Sequence, residues 1–128
     1  MKTNKSILLA GFLGALTVAM GAFGAHLLKA HLEAVYLANY QTGILYQFIH
    51  VIAIFGAGIW LQMHPNRNLK FAVTFWLIGI LLFSGSLYAM AFASMAGTQF
   101  SFLGPVTPLG GLSFITGWIF LALAAVRK

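Results

Sequence analysis

Ser6-Ile-Leu-Leu-Ala-Gly-Phe-Leu-Gly-Ala-Leu-Thr-Val-Ala-Met-Gly-Ala-Phe-Gly-Ala-His-Leu-Leu28 carries no formal charge and no proline. A helix rises ~1.5 Å per residue and the hydrocarbon core is ~30 Å thick, so ~20 apolar residues cross a bilayer. Three further stretches of this kind follow, at Gln41–Met63, Leu69–Ala93 and Leu109–Val126. Between them lie only short connections. The chain therefore reads as an all-α integral membrane four-helix bundle. Residues 1–128 form a single membrane domain with transmembrane helices over 6–28, 41–63, 69–93 and 109–126.

Composition supports this reading. Hydrophobic residues make up 61% of the chain and charged residues 6%. Ordinary soluble domains carry ~25% charged residues, so a soluble fold would lack material for its surface. The net charge of +6 does not point to nucleic acid, because the basic residues sit at segment ends and not among exposed aromatics. With no cysteine, disulfides, thiolate metal sites, cysteine catalysis and a cysteine-linked lipid anchor are excluded. Lys2 and Lys5 followed by an apolar run resemble a signal peptide. The run continues to Leu28, longer than a signal core, and reads as a retained first helix.

Lysine and arginine mark the cytoplasmic side of a membrane protein. Lys2 and Lys5, Arg67 and Lys70, and Arg127 and Lys128 occupy three places that four crossings put on one side. The other side has Lys29 alone, beside Glu33. Both termini are expected on the cytoplasmic side of the membrane.

The first helix is rich in small residues. Gly14, Thr17, Gly21 and Gly24 recur at steps of three and four and share one face. In lipid, where helices gain little from hydrophobicity, small faces let backbones approach closely. Gly85, Ala89 and Ala93 repeat the device in the third helix, and Gly110 and Gly111 in the fourth. A homo-oligomer seam is the competing use of such faces. Between the first two helices, Lys29–Tyr40 reads as a short amphipathic helix in the outer interface, with Lys29 and Glu33 as an i,i+4 pair. Pro65 and the neighbouring asparagines end the second helix. Thr107 is the expected N-cap of the fourth, with Pro108 as its first residue. Trp60, Trp76 and Trp118 fit the role of interface anchors, although Trp118 lies deep for it.

Counting from the outer ends of the segments, Gln47 lies ~9 Å deep and His50 ~14 Å, with Ser84 at the depth of His50. Tyr40 and Tyr88 lie nearer that surface, His26 and Thr107 at it. The polar residues of all four helices thus gather in the outer half, as a candidate pocket of His26, Tyr40, Gln47, His50, Ser84, Tyr88 and Thr107. A polar group in hydrocarbon is costly when unpaired, so these side chains should face inward and bond each other.

These same segments carry a resemblance. Ala22-Phe-Gly-Ala-His26, Tyr40-Gln-Thr-Gly-Ile-Leu-Tyr-Gln-Phe-Ile-His50, Phe83-Ser-Gly-Ser-Leu-Tyr88 and Val106-Thr-Pro-Leu-Gly-Gly111 with Gly117-Trp118 resemble the domain-of-unknown-function 423 family. These are small bacterial inner-membrane proteins with eukaryotic relatives. The four motifs keep their order over nearly the whole chain. Some members carry a charge just before the Tyr-Gln pair, where Leu45 stands here. The resemblance implies a multi-pass protein of a bacterial inner membrane and supplies no catalytic residue.

Three functions compete on these residues. A non-enzymatic bundle would act by interaction, with the lipid bilayer as its solvent and another membrane protein or a second copy as its partner. A small transporter would need His50 to carry protons, since Glu33 is the sole acid. A lipid- or quinone-binding protein would use the outer polar pocket. His50 itself reads as a neutral group bonded to Ser84 or to a backbone carbonyl. Metal and haem ligation is not expected, because His26, His31 and His50 are supported by no carboxylate or thiolate cluster. No catalytic residue, cofactor or nucleic-acid partner is expected.

Overall fold

The computed structural model describes residues 3–126. The basic residues Lys2, Arg127 and Lys128 lie outside the described residues. Four long helices account for the architecture: α1 (Lys5–His31), α2 (Ala34–Met63), α3 (Arg67–Met95) and α4 (Val106–Ala125). One 3-10 turn, Ser101–Leu103, precedes α4. All four helices are long and apolar enough to cross a membrane.

Two asparagines begin helices and fasten them to neighbours. The Asn4 side chain accepts from the Ile7 amide at 3.1 Å and donates to the Gly58 carbonyl at 2.8 Å. Asn66 accepts from the Asn68 amide at 2.9 Å and donates to the Ala124 carbonyl at 3.2 Å. Each therefore satisfies an orphan amide of its own helix and a carbonyl on the next.

α2 and α3 form the centre, α1 packs chiefly on α2, and α4 on α3. Both outer pairs are antiparallel and use glycine against bulk. In the α1–α2 pair, a Cβ on Gly14 would touch Val51, one on Gly21 would touch Ile44, and one on Gly24 would meet the Tyr40 ring at 2.5 Å. In the α3–α4 pair, Trp76 faces Gly117, Gly79 faces Phe114, and the Phe83 backbone lies against Gly110. Such contacts gain dispersion energy in lipid, where burying apolar area gains little. Large apolar side chains point outward instead, among them Phe12 (70% exposed), Phe102 (69%) and Leu81 (72%). Lipid as solvent makes that surface the stable one.

Two wide turns interrupt the α-helical hydrogen bonding. In α1 the Lys29 amide bonds the Gly24 carbonyl, and in α3 the Gly85 amide bonds the Ile80 carbonyl, each five residues back. Each wide turn inserts one residue into the helical register, a rotation of ~100° for everything beyond it.

Several sequence expectations change. Lys29–Tyr40 is not a separate interfacial helix. α1 runs on to His31, the chain extends at Leu32 (φ −105°, ψ 142°), and α2 starts at Ala34. Nothing between Ala34 and Gln41 breaks a helix, so the segment continues directly into α2. The break at Leu32 also separates Lys29 from Glu33, which therefore do not form a helical i,i+4 pair. α4 begins at Val106, ahead of the expected start at Pro108 or Leu109, with Pro105 and not Thr107 in the capping position. Thr107 and Pro108 lie in its first turn, where the missing proline N–H has no intrahelical acceptor to lose. Trp76 is fully buried and anchors no interface.

Candidate functional site

A seam of polar side chains crosses the bundle, centred on α2. Tyr40, Gly43, Gln47 and His50 follow one another at helical spacing, and all are buried. Gln47 ties three helices together. Its amide nitrogen donates to Thr17 Oγ1 of α1 at 2.8 Å, and its oxygen accepts from the Tyr88 hydroxyl of α3 at 2.8 Å. Thr17 in turn donates to the Leu13 carbonyl at 2.6 Å. Tyr88 reaches Gln47 because helical side chains lean toward their own N-terminus. Its ring lies over Gly43, where a Cβ would meet it at 2.8 Å.

Around this centre other groups close pairs of helices. Tyr40 donates to the Met20 carbonyl at 2.7 Å and packs its ring 5.1 Å from that of Tyr88. Ser84 donates to the Gly43 carbonyl at 2.7 Å. Thr107 of α4 shares a 2.6 Å hydrogen bond with Ser86 of α3. Ser113 donates to the Phe75 carbonyl at 2.6 Å.

His50 belongs to a second cluster, between α2 and α4. Its Nδ1 lies 2.6 Å from the Tyr46 carbonyl, and the Trp118 indole donates to its Nε2 at 3.0 Å. The ring stacks on Phe114 with centroids 3.6 Å apart and planes within 8°. A carbonyl only accepts and an indole N–H only donates. The imidazole is therefore neutral, with its proton on Nδ1. The expected backbone partner is present, but α4 supplies the second bond and Ser84 does not.

The structure thus divides the expected pocket. Tyr40, Gln47, Ser84 and Tyr88 come together with Thr17, whose place on the small face of α1 marks it only for packing. His50 joins Trp118 and Phe114, and Thr107 joins Ser86. His26 is exposed and joins neither group, because Gly24 and Leu28 take the bundle-facing side of α1 and a residue two positions beyond Gly24 points ~200° away from it. Among the expected packing positions, Gly14, Gly21, Gly24 and Gly110 face a neighbouring helix. Gly111 is looser, with a Cβ there 3.9 Å from Phe83. Ala89 is half-buried. Gly85 faces no helix, since a Cβ there would find nothing nearer than the Ile80 carbonyl at 3.9 Å. The wide turn just before it rotates it away from its expected contact.

A cleft of about 340 Å³ opens between α1 and α3, lined by Leu13, Leu16, Leu77, Leu81 and Gly85, with Gln47 and Tyr88 also at its surface. A groove of about 550 Å³ lies beside His50, Phe114 and Trp118.

The model of the family described as "Protein of unknown function (DUF423)" matches residues 20–111. A UPF0382 membrane protein of Haemophilus influenzae is 40% identical over 98% of this chain and 96% of its own length. The UPF0382 inner membrane protein YgdD of Escherichia coli K12 is 36% identical over 99% of this chain and 93% of its own. The UPF0382 membrane protein YwdK of Bacillus subtilis is 37% identical over 94% and 95%. No solved structure matches the chain.

Proposed function

The chain belongs to the DUF423 family of membrane proteins, and from that premise we propose that it is a non-enzymatic bundle. It acts by interaction, as an accessory or assembly subunit of a membrane complex. One observation carries this reading: the polar side chains of the seam bond from helix to helix, Thr17 to Gln47 to Tyr88 and Trp118 to His50. Groups used this way hold a bundle together. The neutral His50, with both nitrogens engaged, supports the same reading over proton-coupled transport. Lys5, Arg67 and Lys70 flank one end of the bundle and support a cytoplasmic placement of that end and of both termini.

The test is recovery of the tagged chain from its own membrane, at native expression, in a mild detergent. A stoichiometric membrane-protein partner is the expected result. A monomer with no partner would overturn the reading. Orientation is tested in the naturally cysteine-free chain by Thr3→Cys. A membrane-impermeant maleimide should label it only after the cells are opened.

A further inference from the structure

We propose that the cleft between α1 and α3 binds one long apolar molecule through a carbonyl oxygen, which accepts a hydrogen bond from Gln47. The argument begins with the donors and acceptors of that side chain. A carboxamide has two N–H donors. Gln47 uses one on Thr17, while its oxygen accepts from Tyr88. The second N–H has no protein acceptor among the described hydrogen bonds, and Gln47 is only 2% exposed. It borders a cleft whose walls are mainly leucines with Met20 and Ile80, and Leu81 lies at the lipid-facing surface. An unmatched donor in hydrocarbon favours a ligand acceptor strongly, because no water competes there.

The walls determine the rest of the ligand. Leu13, Leu16, Leu77 and Leu81 carry no charge, so an ion or a sugar gains nothing there. An acyl or isoprenoid chain entering sideways from the bilayer fits. Gly85 explains itself in the same terms. It packs against no helix, and its missing side chain leaves the cleft open. Two sources supply a carbonyl on such a body: the ester of a membrane lipid and the ring of an isoprenoid quinone. The inference does not depend on whether a protein partner is found.

Native mass spectrometry tests it on protein released from its own membrane in a carbonyl-free non-ionic detergent. Wild type is compared with Gly85→Leu, which fills the cleft, and Leu81→Trp, which narrows its mouth away from the core. Gly56→Leu is the control, since that exposed glycine has nothing within 4 Å and lies outside the cleft. Wild type and control should retain one adduct per chain, whose mass distinguishes diacyl lipid from quinone. The adduct should fall about tenfold or more in both cleft variants, the change expected from ~1.4 kcal/mol of lost affinity. If release strips the ligand, decylubiquinone and dioleoylphosphatidylglycerol are titrated as probes against the same four proteins. Equal occupancy in all four would overturn the proposal. So would an adduct without a carbonyl, or saturable binding of neither probe to wild type. Thermal unfolding of each variant separates a blocked cleft from a damaged fold, and Leu81→Trp keeps the test valid if Gly85→Leu is unstable.

Discussion

Replacing Gln47 by leucine keeps the volume of the side chain and removes its two observed hydrogen bonds, to Thr17 and from Tyr88. Thr17 retains its bond to the Leu13 carbonyl, whereas the Tyr88 hydroxyl loses its acceptor. Hydrogen bonds between membrane helices average ~0.6 kcal/mol and reach ~1.7. A buried polar group left unmatched costs a further ~1–3 kcal/mol. Gln47→Leu should therefore destabilise the bundle by about 2–4 kcal/mol. Tyr88→Phe removes one bond and leaves the Gln47 oxygen without its partner, for about 1–2 kcal/mol. The double variant leaves neither group stranded, so its cost should fall short of the sum by about 1 kcal/mol or more. Reversible unfolding in bicelles by steric trapping measures all three. If the single costs add within ~0.5 kcal/mol, the two groups are not coupled and the reasoning about the seam is wrong.

Four further outcomes follow from particular contacts. Gly110→Leu would drive a side chain into the Phe83 backbone, which cannot yield without moving α3, and should cost ~3 kcal/mol or more or prevent accumulation in membranes. Gly85→Ala, with open space around it, should be neutral or stabilising by up to ~1 kcal/mol on the same unfolding assay. Nitrogen-15 NMR of the histidine side chains should find the His50 proton on Nδ1, with Trp118→Phe weakening that preference; a wild-type proton on Nε2 would contradict the Trp118 bond. Asn66→Ala should cost ~1–2 kcal/mol through the lost cap, and Asn66→Asp, which keeps the acceptor but not the donor to Ala124, should cost less.

The solvent and the number of crossings were legible in the residues because hydropathy adds along the chain. A run such as Ser6–Leu28 stays apolar whatever its neighbours do. The inward turn of Gln47 and Tyr88 was legible for a related reason, since an amide or phenol facing hydrocarbon is penalised in any arrangement of helices. The face formed by Gly14, Thr17, Gly21 and Gly24 was readable because the first part of α1 is regular. Spacing marks Thr17 there for its small size alone, although its hydroxyl also reaches Gln47.

Residues near the wide turns were harder to place. His26 lies on the far side of α1 from the Gly24 and Leu28 face, out of the expected pocket, and Gly85, just beyond Ile80–Ser84, sits at the edge of a cleft instead of a helix contact. Composition and spacing alone established a four-crossing polypeptide dissolved in lipid with Gln47 and Tyr88 turned inward. Tertiary structure alone decided the partners: Trp118 and not Ser84 for His50, Gly43 for Ser84, the Phe83 backbone for Gly110. The physical reason is angular. Depth along a helix follows from counting residues, but the direction a side chain faces depends on each hydrogen bond before it, and one inserted residue turns all that follows by ~100°.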